Sequence, residues 1–449
     1  MKGFKETEIG LIPEDWNIKE LGSIADIKQG KTPKREEYSN NSGYRILKAK
    51  DITNLSIIQL KASGERSFVK NKLSDNYLAK KGDIFVLSSA HSKSHVGQKI
   101  GFLKESPKTD TFFVAELLRI RVKTDFSLNN FVFYWLLTLI AKKQISNLVS
   151  GNHLYPNNLK KLKIPLPPLE EQKAIAKVLD SVRETIEKTE NVINALKEFK
   201  KSLMENLFTY GAVPYDERDR VELRQTEIGM IPKHWEVSYL EQISLIRGGK
   251  RLPKGHRFSE RITPYLYIRV SDIRNGKISA KNIRCITDED ANLLRNYRVS
   301  KGDIIISIAG TIGLIALVSS EFNGAYLTEN AARITNLKTD ILNPTYLSYS
   351  LQSFIVQKQF NLYSSKTSQP KLALSKLRKT LIPIPPIEEQ KEIAEILDKV
   401  NSRIEAEERK KEALEELFKT LLNKLMTGKI RVAEEFLNEF KETAETENG

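Results

Sequence analysis

Six short stretches of this 449-residue chain draw on basic side chains, Gly or Pro, and amide or hydroxyl side chains. In the first half they are 28–35 (KQGKTPKR), 91–99 (HSKSHVGQK) and 151–158 (GNHLYPNN); in the second, 247–257 (RGGKRLPKGHR), 269–274 (RVSDIR) and 364–371 (SSKTSQPK). These residue types suit nucleic acid: Arg and Lys match guanine O6 and N7, Asn and Gln match adenine, and Lys or backbone N–H groups match phosphate. The candidate DNA contacts are therefore Lys28, Lys31, Lys34, Arg35, His91, Lys93, Gln98, Lys99, Asn152, His153, Asn157 and Asn158 in the first half. In the second half they are Arg247, Lys250, Arg251, Lys254, Arg257, Arg269, Arg274, Lys366, Gln369 and Lys371.

Catalytic tools are not legible. The chain has no G-x-x-x-x-G-K-[ST] phosphate loop, no G-x-G-x-x-G fingerprint and no Asn/Asp-Pro-Pro-Tyr/Phe motif of the amino-methyltransferase kind. His91 and His95 stand four apart, but Ser-Lys-Ser lies between them and no acidic third ligand is near, so this segment reads as a loop and no metal is expected. Glu198-Phe199-Lys200 resembles part of a nuclease signature yet falls in a helical pattern with no aspartate placed before it, so it reads as a solvated helix face.

The charge is unevenly spread. The chain carries a net +15, and residues 1–169 hold 28 basic against 16 acidic residues while 209–387 hold 26 against 16. The remaining segments are each net acidic, so all the positive excess sits in two blocks, the footprint of a polyanion binder with two modules. The single cysteine, Cys285, excludes an internal disulfide and a four-ligand Cys-based zinc site, and fits a reducing cytoplasm. The longest apolar run, 131–141, is about half a membrane span and reads as a core helix, so no membrane association is expected.

The chain is built twice. Residues 7–16 read TEIGLIPEDW and 226–235 read TEIGMIPKHW, with seven identities in ten. Gly30-Lys31 matches Gly249-Lys250, Lys81-Gly82-Asp83-Ile84 matches Lys301-Gly302-Asp303-Ile304, and Arg119-Ile120 matches Arg333-Ile334. PLPPLEEQKAIAKVLD at 165–180 and PIPPIEEQKEIAEILD at 383–398 agree at eleven of sixteen positions. The ends of each copy are kept and the interior has diverged, as a common frame carrying two different readers would.

Short apolar runs bounded by Gly, Asp or charged turns, such as 83–87, 117–122, 303–308 and 314–318, predict strands, and apolar periodicity predicts helices at 129–142 and 344–359. The Pro-rich hinges 165–168 and 383–386 then lead into proline- and glycine-free stretches whose apolar seams, Ile175 to Leu207 and Ile393 to Leu425, repeat at spacings of four and three. The fold class is α+β: two globular domains joined by two long antiparallel coiled-coil helices, in a pseudo-twofold internal repeat. The boundaries are 1–169 and 209–387 for the globular domains, 170–208 and 388–428 for the helices, and 429–449 for an acidic, disordered tail. The same seams also fit an ordinary core face or a homodimeric coiled coil.

The twin T-E-I-G-x-I-P-x-x-W openings, the twin P-[LI]-P-P-[LI]-E-E-Q-K segments and the closing 425–431 (LMTGKIR) resemble the specificity subunit of type I restriction-modification enzymes over nearly the whole chain. The resemblance implies two target recognition domains, each reading one half of a bipartite asymmetric site in double-stranded DNA. It implies helices that dock methyltransferase (modification) subunits, two of them, and places Glu170, Glu171, Gln172, Glu388, Glu389 and Gln390 at that docking end. It also implies a non-catalytic chain: S-adenosylmethionine, ATP and Mg2+ would be used by the modification and restriction/translocase partners. One departure stands out, since Phe208-Thr209-Tyr210-Gly211 faces Met426-Thr427-Gly428-Lys429, which predicts two non-equivalent ends. A nuclease or methyltransferase with an unrecognised site, and a coiled-coil adaptor, are the competing readings.

Overall fold

The computed structural model describes residues 3–40, 42–60, 67–123, 129–364 and 370–433. They form two compact units, Met1–Thr189 with Arg409–Gly449 and Glu190–Glu408. The two long helices run Leu169–Tyr210 and Ile387–Leu425, and the unit boundary falls in the middle of both. Each unit is thus one globular domain with the first half of the helix that follows it and the second half of the other.

In unit 1 the chain opens with a hairpin, Phe4–Thr7 against Gly10–Pro13, and Asn17–Glu20 then pairs with Lys163–Leu166 just before the helix. The central sheet is antiparallel in the order Ala25–Gln29, Leu117–Val122, Ile84–Leu87, Ile100–Phe102, with Ile120 opposite both Ile27 and Ile84. A smaller sheet carries Thr111–Phe113, Tyr44–Leu47, Phe68–Val69 and Tyr38–Ser39. Two helices, Asn129–Leu137 and Leu139–Leu148, add Phe131, Phe133 and Trp135 to the core of the central sheet. That core also takes Ile175 and Leu179 from the start of one long helix and Leu422 and Leu425 from the end of the other, so the helices run antiparallel here.

Unit 2 repeats the plan. Its hairpin is Leu223–Thr226 with Gly229–Pro232, Glu236–Tyr239 pairs with Leu381–Ile384, and the central sheet orders Leu245–Gly248, Ala331–Thr335, Ile304–Ser307, Ile315–Leu317. Its core joins Met204, Leu207 and Phe208, near the end of the first long helix, to Ile393 and Leu397 at the start of the second, again antiparallel.

The helices expected as single pieces are each broken in two. Pro344–Gln352 and Phe354–Tyr363 part at Ser353, as Asn129–Leu137 and Leu139–Leu148 part at Thr138. Both break residues are extended (ψ near 155°), Ser353 Oγ and Thr138 Oγ1 donate back to the carbonyls of Ser350 and Trp135, and Thr138 accepts the N–H of Ala141 as an N-cap. Hydrophobic periodicity runs through such a break unchanged. The long helices, lacking Pro and Gly, continue with Glu170, Glu171, Glu388 and Glu389 in their first turns, where the helix dipole favours acid.

Candidate nucleic-acid interface

Three of the segments singled out in the first copy meet at one end of the unit 1 central sheet. The Ala25–Gln29 strand leaves the sheet there, and Gly30 N–H donates to Leu117 O (3.1 Å) and Lys31 N–H to Phe113 O (3.1 Å). A Cβ on Gly30 would sit 2.2 Å from Val114 O, so only glycine allows this approach. The loop 88–99 starts at the same end, with Ser88 N–H and Oγ donating to Glu116 O (2.8 Å) and Ala115 O (3.1 Å). The loop 150–155 is bound to it: Leu154 N–H donates to Ser88 O (2.7 Å), Ser89 bridges His153, and Asn152 Nδ2 donates to His91 O (3.3 Å). Lys31, Lys34, Arg35, His91, Lys93, Gln98, Asn152 and His153 are exposed; Lys28 and Lys99 are half-buried, with the Lys28 ammonium over the Tyr77 ring. Asn157 is exposed, whereas the Asn158 carboxamide donates to Leu148 O (3.0 Å) and closes a helix end.

Unit 2 builds the same edge from equivalent parts. Gly249 N–H donates to Ala331 O (2.9 Å) and Lys250 N–H to Leu327 O (2.8 Å), and a Cβ on Gly249 would lie 2.0 Å from Thr328 O. Leu372 N–H donates to Ile308 O (2.8 Å) and Ala309 bridges Lys371, as Leu154, Ser88, Ser89 and His153 do in unit 1. Arg247, Lys250, Arg251, Lys254, Arg257 and Lys371 are exposed. A cleft of about 560 Å³ opens beside the edge, lined by Arg251, Lys254, His256, Arg269, Glu329 and Asn330 among others.

Two expectations on this edge need correction. Arg269 reaches the cleft, but its Nη2 is shared between Asp272 (2.8 Å) and Asn282 O (2.8 Å), its Nε is on Asp272 (3.1 Å) and its side chain is only 27% exposed, so it braces a turn. Arg274 lies at the other end of the sheet: its hairpin meets Ala316 and Leu317, and Leu317 pairs with Ile304, the end of that strand opposite Ser307. Lys366 and Gln369 lie outside the described residues. The loop 308–313 (IAGTIG) was missed because its composition carries no charge, and the turn 328–330 (TEN) because its one charge is acidic. The alignment of the two K-G-D-I segments could have found the loop, since it places 308–313 against 88–99.

The docking residues also divide. Glu171 is 3% exposed and accepts the Trp16 indole N–H (3.0 Å) and the Arg431 guanidinium (2.5 and 2.8 Å). Glu389 likewise accepts the Trp235 indole N–H (3.1 Å) and bonds His234 Nε2 (2.9 Å). Gln172 donates to Pro167 O (2.8 Å), and Gln390 to Pro385 O (2.8 Å) and Ile341 O (2.9 Å), fixing the hinges. These four therefore face inward and close each unit on itself, leaving half-exposed Glu170 and exposed Glu388 to face outward. The hydrogen bond from Arg431, which outweighs Asp15's slight burial, holds the Asp15 carboxyl below its usual range, while Asp15 in turn raises the Arg431 guanidinium.

The two ends share one feature, a glycine in the left-handed region beside the tryptophan. Gly428 (φ +65°) lies against Pro13 and Trp16, and Gly211 (φ +84°) against Glu389 and Trp235, one residue out of step with the alignment. Residues 429–431 thus belong to the body of unit 1; of the segment expected as a disordered tail, 434–449 lies outside the described residues. Among the described residues no His/Cys/Asp/Glu group could hold a metal ion, and no helix is long and apolar enough to cross a membrane.

Two sheets, each presenting a basic loop edge, on paired long helices define a duplicated DNA-recognition architecture. The sequence model of the type I restriction modification DNA specificity domain matches residues 13–198 and 232–416, once in each copy. The chain is 29% identical over 451 residues to the putative type I restriction enzyme MjaX specificity subunit of Methanocaldococcus jannaschii, covering 96% of this chain and 97% of that one. It is 25% identical to the EcoBI specificity subunit of Escherichia coli, over 85% of this chain and 78% of that one. The crystal structure of a type I restriction-modification S subunit from M. genitalium shares the fold at a TM-score of 0.56 and 17% identity, covering 91% of this chain and 96% of that one. The chain belongs to the type I restriction-modification specificity subunits. It is a non-catalytic DNA-recognition component that works within a restriction-modification complex.

Proposed function

We propose that each unit reads one half of a bipartite, asymmetric site in double-stranded DNA through its loop edge, and that the two long helices dock two methyltransferase subunits. The observation that carries this reading is the convergence, in each unit, of loops far apart in sequence onto one sheet edge bearing exposed Lys, Arg, Asn or His. The edges differ in residues while their backbone hydrogen bonds agree, which suits two half-sites of different sequence. S-adenosylmethionine would be bound by the modification subunits, and ATP and Mg2+ used by restriction/translocase subunits, all in the cytoplasm; the outward Glu170 and Glu388 sit where a modification subunit would meet the helices.

The test is DNA methylation by the chain assembled with its methyltransferase partner, on duplexes with both half-sites randomised. Lys31→Ala with Lys93→Ala should weaken binding to all sequences and lower the slope of log K against log salt by about 1 to 2. Methylation by the unaltered complex with no sequence preference, or a salt slope unmoved by the double substitution, would overturn the reading.

A further inference from the structure

Unit 2 carries on its edge a pair that unit 1 lacks. Arg251 Nε and Nη2 lie 2.8 and 2.7 Å from Glu329 Oε1, and Thr328 Oγ1 donates to Glu329 Oε2 (2.9 Å). The backbone equivalence of the two edges, Gly249 on Thr328 O and Gly30 on Val114 O, puts Thr32 and Ala115 at the corresponding places in unit 1. On this shared backbone frame unit 2 has both the cation and the anion and unit 1 has neither.

A carboxylate on a surface that receives a polyanion is repelled unless it is neutralised or has a donor of its own to accept. Burial pushes the Glu329 carboxyl up, but the hydrogen bonds from Arg251, its own backbone N–H and Thr328 outweigh that and hold it ionised below its usual range. Its geometry restrains Arg251, whose side chain is 75% exposed: the Nε and Nη2 side lies on the carboxylate, and the outer edge, Nη1 with the second Nη2 hydrogen, is left to donate a pair of bonds. Next to it Asn330 is exposed; its carbonyl accepts Ile308 N–H (2.8 Å) and Ala309 N–H (3.3 Å), and its carboxamide makes no hydrogen bond among the described residues. A backbone pinned by the adjoining loop 308–313, with a free carboxamide beside it, suits a positioned reader, since the chain holds the Cα and leaves the amide to bond a base edge.

We infer that Arg251 and Asn330 are the base-reading residues of unit 2, Arg251 for a guanine and Asn330 for a neighbouring adenine, with Glu329 a positioning residue that aims Arg251. This rests on the proposal that the edges read DNA. The pairings follow the donor and acceptor patterns of the major groove, where a guanidinium matches guanine O6 and N7 and a carboxamide matches adenine N6 and N7.

The experiment is DNA methylation by the assembled complex on a duplex library randomised in both half-sites. Arg251→Ala and Asn330→Ala should each relax discrimination about tenfold or more at one position, different for the two variants and both within the same half-site, leaving the other half-site as it was. Arg251→Lys keeps the charge but not the fork, so it should lose the guanine preference with an unchanged salt slope. Glu329→Gln should blur the same guanine position and spare the adenine one. All three side chains reach the surface, and thermal melting checks that each of the four variants is folded. Unchanged preferences in a complex that otherwise discriminates, or a uniform loss over all sequences with a reduced salt slope, would overturn the assignment while leaving the reading of the edges standing. Absence of any preference in the unaltered complex would overturn both.

Discussion

Trp16 and Trp235 are closed over in the same way by different parts of the chain. Both indoles are buried and donate to the second glutamate of a Pro-Pro-x-Glu-Glu-Gln segment, and a glycine in the left-handed region packs on each ring. In unit 2 that glycine, Gly211, is followed by residues 212–222 and then by the opening hairpin at Leu223, so the cover and the tryptophan beneath it are neighbours along the chain. In unit 1 the cover comes from 426–431, joined to Trp16 only through the whole molecule. There Arg431 clamps Asp15 and Glu171 together, and unit 2 has His234 in place of Asp15. A tether raises the effective concentration of a cover without any contact. The ion cluster of unit 1 supplies by charge what connectivity supplies in unit 2.

The comparison breaks first at the tryptophans themselves. Trp16→Ala and Trp235→Ala should each cost about 3–5 kcal/mol, since each removes a fully buried large ring and one hydrogen bond from the carboxylate it donates to. Denaturant unfolding followed by hydrogen exchange in each unit would measure both losses. Equal losses, each confined to its own unit, are expected; a Trp235→Ala loss under half that of Trp16→Ala would mean the two closures are not one device.

Much of this frame is legible in the sequence, and the reason is physical. Trp16, Gly30, the Pro-Pro hinge and the Glu-Glu-Gln run recur because each occupies a place where one residue type fits: a filled cavity, an approach of backbone to backbone, a helix start, a buried acceptor. The two long helices are legible because their seams persist without Pro or Gly. Partner choice was not legible. Glu171 and Glu389 sit at helix starts where acid is ordinary, and nothing in their spacing tells an outward carboxylate from one holding a tryptophan more than 150 residues away. Composition also misplaced Arg274, because charge marks a surface without saying which end of a sheet it is on, and it overlooked Asn330, whose importance comes from the hydrogen bonds that fix its backbone.

A smaller effect should sharpen the contrast. Arg431→Ala should loosen unit 1 alone, by about 1–2 kcal/mol, the modest size reflecting a guanidinium that is nearly half exposed against a Glu171 that is buried. Hydrogen exchange at 13–20 should speed up while exchange at 232–239 stays as it was. Equal acceleration in both units would show that the clamp is not local.

The smallest effect is one of pH and separates the clamp from the burial around it. Asp15 is held below its usual range in the folded chain chiefly by its hydrogen bond to Arg431. A carboxylate depressed on folding adds stability that is complete above its unfolded value, about pH 4, and is lost as pH falls through the folded one. Asp15 is about half exposed, so screening should keep this contribution under about 1 kcal/mol. Between about pH 5 and pH 3 unit 1 should therefore lose slightly more protection around Trp16 in the unaltered chain than in Arg431→Ala, where the carboxylate has no guanidinium to lose. Unit 2 offers the internal control, because His234 stands at this position in place of a carboxylate. The same acid sensitivity in Arg431→Ala as in the unaltered chain would assign it to other carboxylates and leave the clamp with no part in it.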